Sequence, residues 1–235
     1  MKIALLGYGK MGKEIESIAI KRNHTIVSKV DKDFIEGEIN SADIAINFSD
    51  PFAAISNISM ALNLNIPVVS GTTGWLKDYS LIKSLSKKNN VGFLYSSNFS
   101  IGVNIFFELN KSLTKLMKGH ENYSVELNEE HHNKKVDSPS GTAISLANDI
   151  ILNSRYEKWS LNSDEKDSLR IKSVRNGNTI GIHDVYFKSS LDQIKISHES
   201  FSRSSYAIGA LIASEWLIGK KGIYTMTDVL NSTKE

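Results

Sequence analysis

Between Glu129 and Ala143 the chain reads EEHHNKKVDSPSGTA. Two glutamates, two histidines, two lysines and an aspartate fall within nine residues, and a stretch that reads as a helix start follows at once. His131 is the side chain best suited to exchange a proton at neutral pH, because the ordinary histidine pKa is about 6.5. Lys135 would depress that value, and Glu129 and Glu130 would raise it. Ser138 reads as an N-cap with Pro139 at the first helical position, so the amides of Ser140, Gly141 and Thr142 are expected as free donors at a positive helix end. Such a helix start, with the charge of Lys135 beside it, suits a carboxylate. No metal is expected: His131 and His132 are adjacent on an extended segment and point to opposite sides, an awkward pair for one ion. The plain alternative is a solvated charged loop.

A second constellation lies at the N-terminus. Gly7-Tyr8-Gly9-Lys10-Met11-Gly12 is GxGxxG, directly after an apolar run and directly before a helical pattern. Gly7 allows a tight turn, Gly9 removes a side chain that would block a pyrophosphate, and Gly12 lets helix and strand pack closely. Asp31 follows at the end of the second apolar run, where a dinucleotide fingerprint places the partner of the adenosine ribose hydroxyls. Lys32 beside it could meet a 2′-phosphate. Three further loops follow predicted strands: Asn47-Phe48-Ser49-Asp50, Gly71-Thr72-Thr73-Gly74 and Ser96-Ser97-Asn98-Phe99. Open α/β sheets bind ligands at such strand ends, and small hydroxyl residues let backbone press against a nicotinamide.

The elements that must position these residues follow from hydrophobic patterning. Continuous apolar runs at Ile3 to Leu6, Thr25 to Val30, Ile44 to Phe48, Pro67 to Ser70 and Val91 to Tyr95 read as strands buried on both faces. Helical patterns near Lys10 to Arg22, Phe52 to Asn63 and Leu76 to Lys88 alternate with them, which predicts a Rossmann-type, doubly wound parallel sheet. After Asn98 the pattern changes: a long helix over Ile101 to Met117, a strand over Tyr123 to Leu127, the reactive segment, and a helix with Ile144, Ala147, Ile150 and Ile151 on one stripe. Strands over Leu169 to Val174, Ile180 to Phe187 and Ile194 to His198 come next, the first two joined across Asn176-Gly177, a hairpin signal. Strands without intervening helices predict a second α+β domain on an open mixed, largely antiparallel sheet. The polar segment 154–167 reads as a surface excursion, and Tyr206 to Leu217 as an apolar helix returning to the first domain. The expected domains are 1–100 with 204–235, binding a dinucleotide, and 101–203, binding substrate and mediating oligomerisation.

Bulk composition narrows the function classes. At 235 residues and 40% hydrophobic, the chain can bury a substantial core. Its net charge of +2 arises from 28 basic and 26 acidic residues spread along the chain, so neither nucleic acid nor an anionic membrane is an expected partner. The absence of cysteine excludes disulfides, thiolate zinc sites and a cysteine nucleophile. The apolar stretch at the N-terminus is too short for a signal peptide, and no window reaches the roughly 18 apolar residues of a membrane helix; a cytoplasmic protein is the default expectation.

The segment Glu130 to Ala143, EHHNKKVDSPSGTA, resembles the signature of the dihydrodipicolinate reductase family, also called 4-hydroxy-tetrahydrodipicolinate reductase: E, any residue, H-H, two variable residues, then K-V-D-x-P-S-G-T-A. Glu130 adjoins the histidine pair where the family often has one residue between, a place Glu129 fills. The likeness covers nearly the whole chain, including GTTGW at 71–75, SSNFSIGVN at 96–104, VRNGNTIGIHDV at 174–185 and the end from SRSSYAIGA onward. The resemblance implies His131 as general acid/base, Lys135 as proton donor and charge partner, and His132, Ser140, Gly141 and Thr142 as substrate contacts. It implies that Gly7 to Gly12, Asp31, Lys32, Phe48, Gly71 to Thr73 and Ser96 to Phe99 hold NADH or NADPH. The implied reaction is hydride transfer to a cyclic unsaturated imine dicarboxylate, giving tetrahydrodipicolinate in lysine and diaminopimelate biosynthesis, by a homotetramer. The glycine loop is one residue shorter than the form common in the family, and Asp50 stands where many members carry arginine, which bears on NADPH preference. Competing readings are another two-domain amino-acid dehydrogenase that releases ammonia and a non-catalytic dinucleotide sensor; the missing cysteine excludes a semialdehyde dehydrogenase.

Overall fold

The computed structural model describes residues 1–162 and 165–232. In chain order the elements are β1 (Lys2–Leu6), α1 (Lys10–Lys21), β2 (Thr25–Asp31), β3 (Phe34–Gly37), β4 (Ile44–Asn47), α2 (Pro51–Asn63), β5 (Val68–Ser70), α3 (Tyr79–Asn89) and β6 (Gly92–Tyr95). There follow α4 (Ile101–Met117), β7 (Ser124–His131), α5 (Gly141–Asn153), β8 (Lys158–Leu161), β9 (Ser168–Arg175), β10 (Gly181–Lys188) and β11 (Gln193–Ser200), then α6 (Ser204–Leu217), β12 (Gly222–Tyr224) and α7 (Met226–Asn231). The chain divides into two compact units, Met1–Ile101 with the chain from Ser204 onward, and Gly102–Arg203.

The first unit carries a seven-stranded sheet in the order β12-β6-β5-β4-β1-β2-β3. All its pairings are parallel except that of β2 with β3. Alternate residues of β1 feed opposite faces: Ile3 and Leu5 pack with Ile15 and Ala19 of α1 and Leu211 of α6, whereas Ala4 and Leu6 pack with Ile58 and Leu62 of α2. Both faces are covered, which is why these strands read as unbroken apolar runs. Chain order reverses between β1 and β4, the switch point where ligands bind in such sheets. Two strands were not expected. β3 is exposed throughout, so no buried alternation marks it, and β12 is only three residues long.

The second unit is a five-stranded sheet, β11-β10-β7-β9-β8, with α4 and α5 supplying Phe106, Leu146, Ala147 and Ile150 to one core with Leu127, Ile171 and Val185. It is mixed: β10 runs antiparallel to β7 and β11, while β9 runs parallel to β7 and β8. The hairpin expected across Asn176-Gly177 does not form, because β7 lies between β9 and β10. The turn's backbone groups bind the end of β7 instead: Asn176 N donates to His131 O at 2.8 Å and Asn133 N to Gly177 O at 3.2 Å. Part of the polar 154–167 segment is strand β8, since Trp159 packs against the core and Ser160 is buried. Residues 163–164 of that segment, and 233–235 of the expected C-terminal return, lie outside the described residues. Among the described residues no helix is long and apolar enough to cross a membrane.

Candidate active site

The glycine turn has the geometry its spacing requires. Gly7 takes φ +96°, and a Cβ there would come within 2.4 Å of Phe48 O, so only glycine lets the loops after β1 and β4 touch. A Cβ on Gly12 would come within 2.4 Å of Gly7 O. At Gly9 the same atom would meet nothing within 4 Å, so this glycine faces open space. Gly9 is also the N-cap of α1, which has no side-chain cap and no acid in its first turn. A pyrophosphate would therefore meet uncontested backbone donors. Beside Gly7 a cavity of about 520 Å³ is lined by Asp31, Lys32, Ser49, Asp50 and Phe52. Asp31 Oδ2 accepts from Tyr8 N at 2.9 Å and Oδ1 from Lys32 N at 2.8 Å. The residues present fit a dinucleotide.

Other expected cofactor residues divide by exposure. Lys10, Thr73 and Ser97 are exposed, and Met11, Gly71 and Asn98 are partly open. Phe48 is half-buried, its ring lying over Gly71, where a Cβ would come within 2.2 Å of it. Thr72 is buried, and its hydroxyl ties two loops together: it accepts from Ser49 N at 2.9 Å and donates to Ser49 O at 3.1 Å. Ser96 Oγ donates to Asn98 O at 2.6 Å. Phe99 is a core residue, 1% exposed, so its ring is not open to a ligand. The side chains of Thr72 and Phe99 therefore shape the loops that carry them.

In the second unit, β7 extends four residues beyond the expected Leu127, so the acids and His131 are strand residues and not loop residues. Val125, Leu127, Glu129 and His131 alternate onto the buried face. Glu129 is a carboxylate with four neighbours on its Oε1: Ser140 N at 3.1 Å, Ser173 Oγ at 2.6 Å, and Arg175 Nη1 and Nη2 at 3.3 and 3.4 Å. Its Oε2 lies 3.1 Å from His131 Nδ1 and 3.8 Å from His183 Nε2. The 3.1 Å contact suits an ion pair but is off the line of a straight hydrogen bond. Burial pushes the Glu129 carboxyl up, yet the contacts from His131, Ser140 and Ser173 outweigh it and hold it well below the usual carboxylate range. Burial, aided by the charge of His131, pushes His183 down to about 3.

Ser140, not Ser138, caps the helix: its hydroxyl accepts from Ala143 N at 3.2 Å, and α5 begins at Gly141. The expected helix start is thus displaced by two residues, because the Ser140 amide is taken by the buried Glu129. Ser140 is 3% exposed and its hydroxyl also stands 3.1 Å from His183 Nε2, so its amide and hydroxyl are both engaged in the network. Gly141 and Thr142 remain open at the helix start. Lys135 Nζ lies 2.8 Å from both carboxylate oxygens of Asp137. His132 stands apart from His131, its Nε2 3.3 Å from Arg203 Nη2. Glu129, His131 and His183 each bring a ligand atom within 4.8 Å of the others. With the Arg175 guanidinium already on the same carboxylate, we read this group as an ion-pair and hydrogen-bond network and not as a cation site.

The geometry can be set beside known proteins. The dihydrodipicolinate reductase family matches along both parts, its N-terminus over residues 1–99 and its C-terminus over residues 102–230. The chain belongs to the dihydrodipicolinate reductase family. It is 49% identical over 234 residues to the 4-hydroxy-tetrahydrodipicolinate reductase of Christiangramia forsetii, covering 98% of each chain. It is 35% identical over 252 residues to the enzyme of that name from Clostridium novyi, again covering 98% of each. Among solved structures, dipicolinate-bound dihydrodipicolinate reductase from Paenisporosarcina sp. TG-14 shares the fold with a TM-score of 0.77 at 24% identity, over 97% of this chain and 98% of that one. Membership in the family makes the chain a nicotinamide-dependent oxidoreductase using NADH or NADPH.

Sequence reasoning about this member of the family missed Ser173, Arg175 and His183, and gave Glu129 only a general electrostatic influence. Arg175 and His183 sit inside VRNGNTIGIHDV, a stretch whose pattern gives two strands, a turn and the resemblance but no chemistry. A buried-face alternation carried by polar residues would have found Glu129 and His183.

Proposed function

We propose that the chain is a 4-hydroxy-tetrahydrodipicolinate reductase, which reduces a cyclic unsaturated imine dicarboxylate in lysine and diaminopimelate biosynthesis. The observation that carries this reading is the reactive segment: a proton-exchanging His131 held on a strand beside Glu129, followed by Lys135 and a helix start at Gly141 and Thr142. The first unit holds the dinucleotide through Gly7 to Gly12 and Asp31, and the second carries the groups for the dicarboxylate.

When bound, the dihydronicotinamide supplies the hydride. Reduction of one double bond needs a hydride and a proton, and the acceptor is left enamine-like and anionic until the proton arrives. His131 delivers that proton, and Lys135 supplies positive charge and assists protonation. The amides of Gly141 and Thr142, the Thr142 hydroxyl and His132 grip carboxylates, each as a charge-assisted contact. Asp137 holds the Lys135 ammonium in place through both of its carboxylate oxygens. The active form is a homotetramer in the cytoplasm.

The test is consumption of NADH or NADPH with freshly generated pathway intermediate. Turnover without release of ammonia supports the reading. Cofactor binding with no turnover would support a dinucleotide sensor.

A further inference from the structure

Two buried polar atoms that make no aligned hydrogen bond face each other, Glu129 Oε2 and His131 Nδ1, 3.1 Å apart, with His183 Nε2 farther off at 3.8 Å from the same oxygen. Leaving buried polar atoms unpaired is unfavourable, so a proton on Nδ1 facing the Glu129 carboxylate is the arrangement that relieves both. The Glu129 side chain is fully buried, and its other oxygen is fixed by Ser140 of the helix start and by Ser173 and Arg175 of β9. Three residues from two neighbouring elements therefore hold one carboxylate against one ring nitrogen.

The other edge of the ring meets a different constraint. Gly181, on the neighbouring strand β10, lies where a Cβ would come within 3.0 Å of His131 Nε2 and 3.3 Å of Cδ2. The ring leans across the strand into room that a glycine leaves. His183, two residues along β10, closes the side at a ring separation of 5.1 Å. Nδ1 is fully buried, so the 10% of the side chain that stays open belongs to its other atoms.

The geometry points to Glu129 and Gly181 as positioning residues: Glu129 holds the proton on Nδ1, Gly181 gives the ring its seat, and Nε2 is thereby the nitrogen that exchanges the substrate proton. This rests on the reading of His131 as the acid/base. The charged and titratable groups near the ring are Glu129 on its own strand, Arg175 from β9, the neutral His183 from β10, and Lys135 with Asp137 in the following loop. Glu129 is the one that contacts Nδ1. A carboxylate fixing a histidine tautomer is a known means of keeping the reacting nitrogen correct, and its amide replacement gives the wrong tautomer.

Nitrogen NMR of the folded wild-type protein with labelled histidine tests the inference without a variant: neutral His131 carries its proton on Nδ1. Finding it on Nε2 overturns the proposal. Glu129→Gln should lower kcat by at least roughly tenfold, up to the roughly 10⁴-fold seen for a wrong tautomer, with NADH affinity unchanged. Gly181→Ala should lower kcat while also leaving NADH affinity alone, and it spares the Glu129 network should Glu129→Gln fold poorly. Folded Glu129→Gln or Gly181→Ala protein with at least half of wild-type kcat and an unshifted pH profile overturns the assignment. His131→Gln separates the two levels: if it stays active, the acid/base reading itself fails, whereas its inactivity beside an active Glu129→Gln removes only the positioning role.

Discussion

The backbone amide of Tyr8 donates to Asp31 Oδ2 at 2.9 Å, so the acid at the end of β2 is bound to the glycine turn itself. Lys32 N holds the other oxygen at 2.8 Å. A carboxylate has about four acceptor sites, so two backbone donors orient Asp31 and still leave lone pairs for ribose hydroxyls. Asp50 lines the same cavity and accepts from Phe52 N at 2.9 Å as the N-cap of α2.

Two carboxylates and one lysine at the adenosine end repel a 2′-phosphate more than they attract it. We expect use of both cofactors with a modest lean to NADH, read from kcat/KM for each. Preference for NADPH by more than about a hundredfold, or about 2.7 kcal/mol, would show that Asp31 does not act as argued. Asp50→Arg should move the ratio toward NADPH, with a stability loss of roughly 1 kcal/mol from the lost cap.

The Glu129 network sets a pH dependence. Glu129 has a depressed folded pKa, so its stabilisation is present above the ordinary carboxylate value and is lost as pH falls through the folded one. His183 stays neutral in the fold down to about 3, while the unfolded chain takes up its proton below about 6.5. Both therefore act in the same direction, and stability falls as pH drops from about 6.5. At pH 4.5 the His183 share reaches up to roughly 3 kcal/mol, a large part of a typical domain's 5–15. Denaturant melts of wild type and His183→Gln at pH 7 and 4.5 check this. The stability difference between the two proteins should shift in favour of the variant at the lower pH, and a pH-independent difference would refute the argument.

How much of this was legible in the sequence depends on which residues carried the signal. The first unit was readable because Ile3 to Leu6 and Ile44 to Phe48 are apolar on both faces and because glycine spacing fixes a turn. The exposed β3 carried no burial signal. In the second unit β7 was cut short at Leu127, since Glu129 and His131 continue its buried face with polar side chains. Asn176-Gly177 signalled a turn correctly but not its partner, because pairing across a sheet is decided by β7 inserting between β9 and β10. The cap moved from Ser138 to Ser140 for a tertiary reason, the buried carboxylate that takes the Ser140 amide.

The five-stranded sheet ends at β8 and β11. β11 has mostly exposed or half-exposed residues, and Leu191 and Phe201 beside it are exposed. Unpaired strand edges with apolar flanks favour association. We expect a homotetramer built through the second unit, giving about four times the monomer mass by light scattering at micromolar concentration. A clean monomer would rule this out.

The last prediction separates a catalytic segment from a charged loop. If His131 moves the proton and Lys135 supplies charge, His131→Gln and Lys135→Ala should each lower kcat by roughly 10²- to 10⁴-fold. Cofactor affinity should hardly change, since Gly7 to Gly12 and Asp31 belong to the other compact unit. Thr142→Val should differ in kind: Thr142 lies in the open first turn of α5, so its loss should raise KM for the dicarboxylate more than it lowers kcat. A solvated loop predicts near-normal turnover for all three, or loss only through unfolding. Steady-state kinetics and thermal melts on the same preparations distinguish these outcomes. Folded His131→Gln and Lys135→Ala proteins that keep more than about a tenth of wild-type kcat would leave EEHHNKKVDSPSGTA without a catalytic role.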